Sequence, residues 1–226
     1  LSHLLIQIMN KGLRKIPIWA IYIMFPIPGI LAILAGLTNN LGVEPIKELE
    51  KTLGGFALKL LILGLGITPF LHFTRINLVR FRRAIGVVAF GYLFAHFLTW
   101  LFLDVQLLSQ IWADILKRPY ITVGFLGFIA TVPLALTSNN WSVRRLGRFW
   151  RVLHRLTYIA AVLGGVHYIM LVKGFQIEPL VYMSVILAFL AVRVQHWRRS
   201  LEATSRGLRN ISWRWWERVI GLFLWR

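Results

Sequence analysis

The 226-residue chain contains no cysteine. That absence excludes disulfide staples, thiolate-bound metals and covalent cofactor attachment through C-x-x-C-H. Acidic residues are scarce, eight against 26 lysines and arginines, and none lies inside a long apolar run. A proton-coupled transporter built on buried acids is therefore disfavoured. No H-E-x-x-H, phosphate-binding glycine loop or G-x-S-x-G elbow occurs, which removes the zinc-peptidase, P-loop and serine-hydrolase signatures.

What the chain has in abundance is apolar sequence: 58% of residues are hydrophobic and the mean hydropathy is +0.67. The apolar residues come in blocks and not at amphipathic spacing, and a membrane span needs about 20 of them. Six runs qualify: 16–37, 53–71, 84–103, 120–136, 156–172 and 179–192. The first is too long for an ordinary signal-peptide core and shows no clear small-x-small cleavage site, so it is read as a span. The fold class expected is an all-α integral membrane protein, a six-helix bundle over residues 1–200. The remaining residues, 201–226, form a tail with four tryptophans and five arginines among its last 22 residues. Its apolar stretch is too short to cross a bilayer, and an interfacial amphipathic helix on the inner face is expected.

The net charge of +18 follows the membrane and not a nucleic-acid surface. Lys11, Arg14 and Lys15 precede the first run. Arg75, Arg80, Arg82 and Arg83 fill the second connection, Arg144, Arg145, Arg148, Arg151 and Arg155 the fourth, and Arg193 and seven further arginines follow the sixth run. The other connections carry mixed charge: Glu44 to Lys51, Asp104 to Arg118, and Lys173 with Glu178. The positive-inside rule then places both termini in the cytoplasm. Lys59, the one charge within a span, is expected to snorkel to the headgroups.

Among these apolar runs stand two histidines, His96 and His167, on spans that run in the same direction. His96 lies thirteen residues beyond Arg83 and His167 twelve beyond Arg155, so both sit roughly 18–20 Å above the inner charged edge. An imidazole in hydrocarbon is costly, and two at one depth on parallel spans suit the axial positions of one haem iron. Without cysteine that haem would be b-type. The other reading makes each a structural histidine, hydrogen-bonded to a neighbouring hydroxyl or carbonyl. His154 lies about 20 Å below His167 on the same expected helix, and if that helix is straight the two point about 140° apart. His72 and His196 also fall near the inner side.

Four segments carry a resemblance: EPIKELEKTLGGFALKLLILGLGITPF from Glu44, RFRRAIGVVAFGYLFAHFLTWLFLD from Arg80, ILKRPYITVGFLGFIATVPLALTS from Ile115, and RRLGRFWRVLHRLTYIAAVLGGVHYIMLVK from Arg144. Together they resemble the MsrQ (YedZ) family of haem-binding membrane subunits of bacterial protein-methionine-sulfoxide reductase systems, part of the ferric-reductase-like superfamily. The resemblance implies one or two b-type haems with His96, His154 and His167 as the haem-associated residues. The superfamily usually has another histidine where this chain has Arg83, so an inner haem would take its second ligand from elsewhere, His72 before His196. It further implies an inner-membrane cytochrome taking electrons from the quinone pool or a cytoplasmic flavin reductase. These pass to a periplasmic molybdopterin-containing catalytic subunit that reduces methionine sulfoxide. FMN is a further cofactor that the family suggests, with no residue cluster here to assign to it. The connection with Asp104, Asp114, Lys117 and Arg118 is either a surface that docks the partner or a simple interfacial helix. Two other readings stay open beside it: a stand-alone ferric or quinone reductase cytochrome, and a haemless six-span transporter or assembly factor.

Overall fold

A computed structural model of the chain describes residues 2–38, 40–105, 115–172 and 174–194. The tail, His196, Asp114 and Lys173 lie outside the described residues. Among the described residues, six helical stretches are long and apolar enough to cross a membrane: Trp19–Leu37, Pro45–Thr74, Val79–Asp104, Pro119–Leu136, Arg148–Leu171 and Ile177–Val194. The chain is a multi-pass membrane protein. No strand occurs among the described residues.

The first span is two helices, α2 (Trp19–Met24) and α3 (Ile27–Leu37), broken at Phe25 and Pro26. The break has a tertiary partner. In an unbroken helix the Phe25 carbonyl would accept from the Gly29 amide; here the Tyr92 hydroxyl stands between them, donating to Phe25 O (2.7 Å) and accepting from Gly29 N (2.8 Å). A side chain inserted into the backbone ladder is a recognised cause of a helix break. Before it comes α1 (Ser2–Lys15), an amphipathic helix that the run of apolar residues did not reveal. Asn10 on α1 donates to Arg75 O and accepts from Asn77 N. It thereby ties down the left-handed turn at Arg75, a φ of 63° that a non-glycine residue adopts at some cost.

The second span, α4 (Pro45–Thr74), begins eight residues before the apolar run. At 30 residues it is about 45 Å long, so its first two turns, with Glu48 and Glu50, project beyond the hydrocarbon. It packs against α3, α5 (Arg82–Thr99) and α9 (Leu156–Leu171), and is the centre of the bundle. One core joins Leu49, Leu53, Ala57 and Leu60 of α4 to Ile85, Val88 and Ala89 of α5. A second joins Leu58 and Leu65 to Ala161 of α9 and Ile186 of the last helix, α10 (Ile177–Val194). Alanines at these contacts let the backbones approach closely, as apolar helices in lipid require. Lys59 is exposed and its ammonium lies 5.4 Å from the Phe56 ring, one turn toward the start of α4; the side chain leans along the helix as snorkelling demands.

At the arginine-rich end, Arg193 of α10 donates to Leu65 O and Thr68 Oγ1 of α4 and to Tyr158 Oη of α9. Arg83 donates to Asn140 Oδ1 of the short helix α7 (Asn140–Leu146) at 2.7 Å, joining the second connection to the fourth. The basic connections thus share one end of the bundle. The fifth span is α8 (Arg148–Leu153) followed by α9, with the break at His154 and Arg155.

Candidate metal centre

His96 on α5 and His167 on α9 face each other, with ring centroids 6.3 Å apart and planes at 73°. A transition-metal bond to an imidazole nitrogen is about 2 Å long, so two in line through one ion separate the centroids by roughly 6 Å. The spacing fits a shared metal. It is tighter than matched depth alone required.

Each ring is also held by its other nitrogen. His96 Nδ1 lies 2.9 Å from the Glu50 carbonyl oxygen and His167 Nδ1 2.7 Å from that of Tyr120. A carbonyl only accepts, so Nδ1 carries the proton in both and the lone pair is left on Nε2. That tautomer, oriented by a backbone acceptor, is what a metal-binding histidine needs. The same local device occurs twice. Four residues after Glu50 stands Gly54, and four after Tyr120 stands Gly124. A Cβ would lie 3.2 Å from the His96 ring at the first and 2.7 Å from His167 Nδ1 at the second. On a helix, i and i+4 share a face, so each glycine opens the space through which the imidazole reaches the carbonyl.

The surroundings are apolar. Phe97, next to His96, stacks on Phe128 of α6 (Pro119–Leu136) at 4.6 Å, and Phe90 and Phe94 extend the stack. This wall excludes water and suits a porphyrin, which is itself broad and apolar. The donor set, two neutral imidazoles and no thiolate, fits a low-spin b-type haem.

His154 sits elsewhere, at the end of α8. The Thr137 hydroxyl donates to Pro133 O (2.6 Å), so it accepts from His154 Nε2–H at 3.1 Å. The ring stacks on Trp150 with centroids 3.8 Å apart, and Trp150 Nε1 donates to Thr137 O. The helix break at His154 removes the straight-helix relation to His167. His72 is exposed at the end of α4 with its ring near Phe73, and Arg83 is engaged by Asn140. The described residues therefore bring together His96 and His167. Sequence reasoning missed Glu50, Tyr120, Gly54, Gly124 and Thr137; the only advance signal was a small residue in an apolar helix.

A family profile described as "Ferric reductase like transmembrane component" matches residues 53–165. A protein of Brucella anthropi is 44% identical over 178 residues, covering 78% of this chain and 81% of its own. One of Agrobacterium fabrum is 42% identical over 185 residues, covering 81% and 86%. One of Brucella ovis is 45% identical over 178 residues, covering 78% and 81%. All three are named "Protein-methionine-sulfoxide reductase heme-binding subunit MsrQ". No solved structure matches the chain. With four-fifths of each relative covered at this identity, and the ferric-reductase-like profile matched at 53–165, the chain belongs to the MsrQ family of ferric-reductase-like membrane proteins.

Proposed function

We propose that this protein is the haem-binding membrane subunit of a protein-methionine-sulfoxide reductase, a b-type cytochrome with His96 and His167 as the axial ligands of one haem. The observation that carries the reading is the facing pair of imidazoles at 6.3 Å, each with Nδ1 committed to a carbonyl. When bound, the haem supplies a one-electron relay within the apolar bundle. The residues of the chain hold the iron, keep both imidazoles neutral and exclude water through the phenylalanine wall. An inner haem at His154 would require its Nε2 to leave Thr137, with His72 or His196 as the other ligand. Electrons enter from the quinone pool or a cytoplasmic flavin donor and leave to a periplasmic molybdenum-containing partner, which carries the catalytic site. The family names and the clustering of basic residues at the end away from His96 support this direction.

The test is a reduced-minus-oxidised spectrum of the purified protein with haem quantified per polypeptide. Wild type is expected to show a low-spin haem. His96→Ala and His167→Ala should each lose it or convert it to high-spin; unchanged low-spin spectra in both would overturn the assignment.

A further inference from the structure

Trp100 follows His96 by four residues, at the point where α5 passes into a π-helical turn, Trp100–Asp104. It therefore shares a helix face with the histidine, one turn nearer the end of the bundle. Its indole nitrogen Nε1 is buried and, among the described residues, has no hydrogen-bond partner. A buried N–H left without an acceptor is costly and uncommon in native proteins. Indole offers only this donor, so its missing partner must be an acceptor. Two further polar groups stand at the same end. Glu50, whose carbonyl holds His96, has its Oε1 buried and, among the described residues, without a hydrogen-bond partner. On the neighbouring connection the Arg118 guanidinium stands 5.3 Å from the Tyr120 ring, beside the carbonyl that holds His167. A donor and a cation thus flank the histidine pair on the side away from the basic connections. π-helical turns are themselves frequent at functional sites.

We propose that Trp100 Nε1–H donates to a propionate carboxylate of the haem held by His96 and His167, so that the propionate edge faces the end of the bundle bearing Asp104 and Arg118. This rests on the haem assignment above and adds to it the orientation of the ring and the residue that sets it. A carboxylate is the acceptor whose charge also suits Arg118, and a donor to an ionised group makes a stronger bond than a neutral pair.

The experiment uses full-length protein produced without haem and titrated in detergent with either haemin or its dimethyl ester, in which both propionates are neutral. In Trp100→Phe an aromatic ring is kept and the N–H donor is lost together with the fused five-membered ring, a packing loss that both forms of haemin feel alike. Haemin is expected to bind about tenfold more weakly than to wild type, still low-spin, because a hydrogen bond to a charged group is removed. With the dimethyl ester the difference between Trp100→Phe and wild type should shrink severalfold. An equal loss with both haemins, or no loss with either, overturns the proposal. So does a loss that disappears in the Glu50→Met background, which lacks a side-chain acceptor, because the Trp100 partner is then the Glu50 carboxyl. A wild type that binds no low-spin haem refutes the axial assignment instead, and the two failures are thereby separated.

Discussion

At Gly124 an added Cβ would lie 2.7 Å from His167 Nδ1, and at Gly54 3.2 Å from the nearest His96 ring atoms. The first distance forces the imidazole off its carbonyl; the second asks for a shift of a few tenths of an ångström. Alanine for glycine inside a helix gains up to about 1 kcal/mol in propensity, and overpacking costs about 1–3 kcal/mol. Gly124→Ala is therefore expected to lose the low-spin spectrum or weaken haem retention by tenfold or more. Gly54→Ala should stay within about threefold of wild type. Haem titration of the two variants checks the order. A reversed order would mean that the Nδ1 bond at His167 does not set the ring. Spacing made the two histidines visible in the sequence, but not the acceptors that orient them. Every residue carries a carbonyl, and only the packing of α4 on α5 and of α6 on α9 selects Glu50 and Tyr120.

The break in the first span shows how one element leans on another. Pro26 cannot donate a backbone hydrogen bond, and the Tyr92 hydroxyl bridges the separated Phe25 carbonyl and Gly29 amide. Tyr92→Phe removes both bonds and leaves those groups in an apolar setting. A loss of about 1–2 kcal/mol is expected, read as a lowered midpoint in a detergent unfolding titration. An unchanged midpoint would show that the bridge is incidental. Span existence was readable from apolar run length, but this break was not, since proline is compatible with a continuing span until a neighbour supplies the missing partner. The fifth span makes the same point. Its apolar run begins only at Leu156, yet the helical path extends back to Arg148 through a turn at His154 whose ring is taken by Thr137 and Trp150.

For the whole molecule, the Arg83–Asn140 bond and the docking of α1 on Arg75 and Asn77 gather the basic connections at one end, while Glu50, Trp100 and Tyr120 mark the other. With the basic end cytoplasmic, a cysteine placed at exposed Arg144 in this cysteine-free chain should be labelled only after the inner face is opened. Labelling from the periplasm would reverse the topology. Asp104 and Lys117 are exposed beside the histidine end, the end at which the proposed function has the partner dock. Reversing either charge should slow haem oxidation by the partner severalfold and reduce its salt dependence, with haem content unchanged. A normal rate would place the docking surface elsewhere. The sequence by itself determined the membrane class, the six spans, the shared end of the arginines and the matched depth of His96 and His167, because hydropathy, charge and helical rise are additive along the chain. Only the tertiary structure decided which faces meet: it closed the two imidazoles to 6.3 Å, fixed their tautomers on two carbonyls and separated His154 from them. Those outcomes depend on helix rotation and breaks, which packing between distant segments sets and local sequence does not.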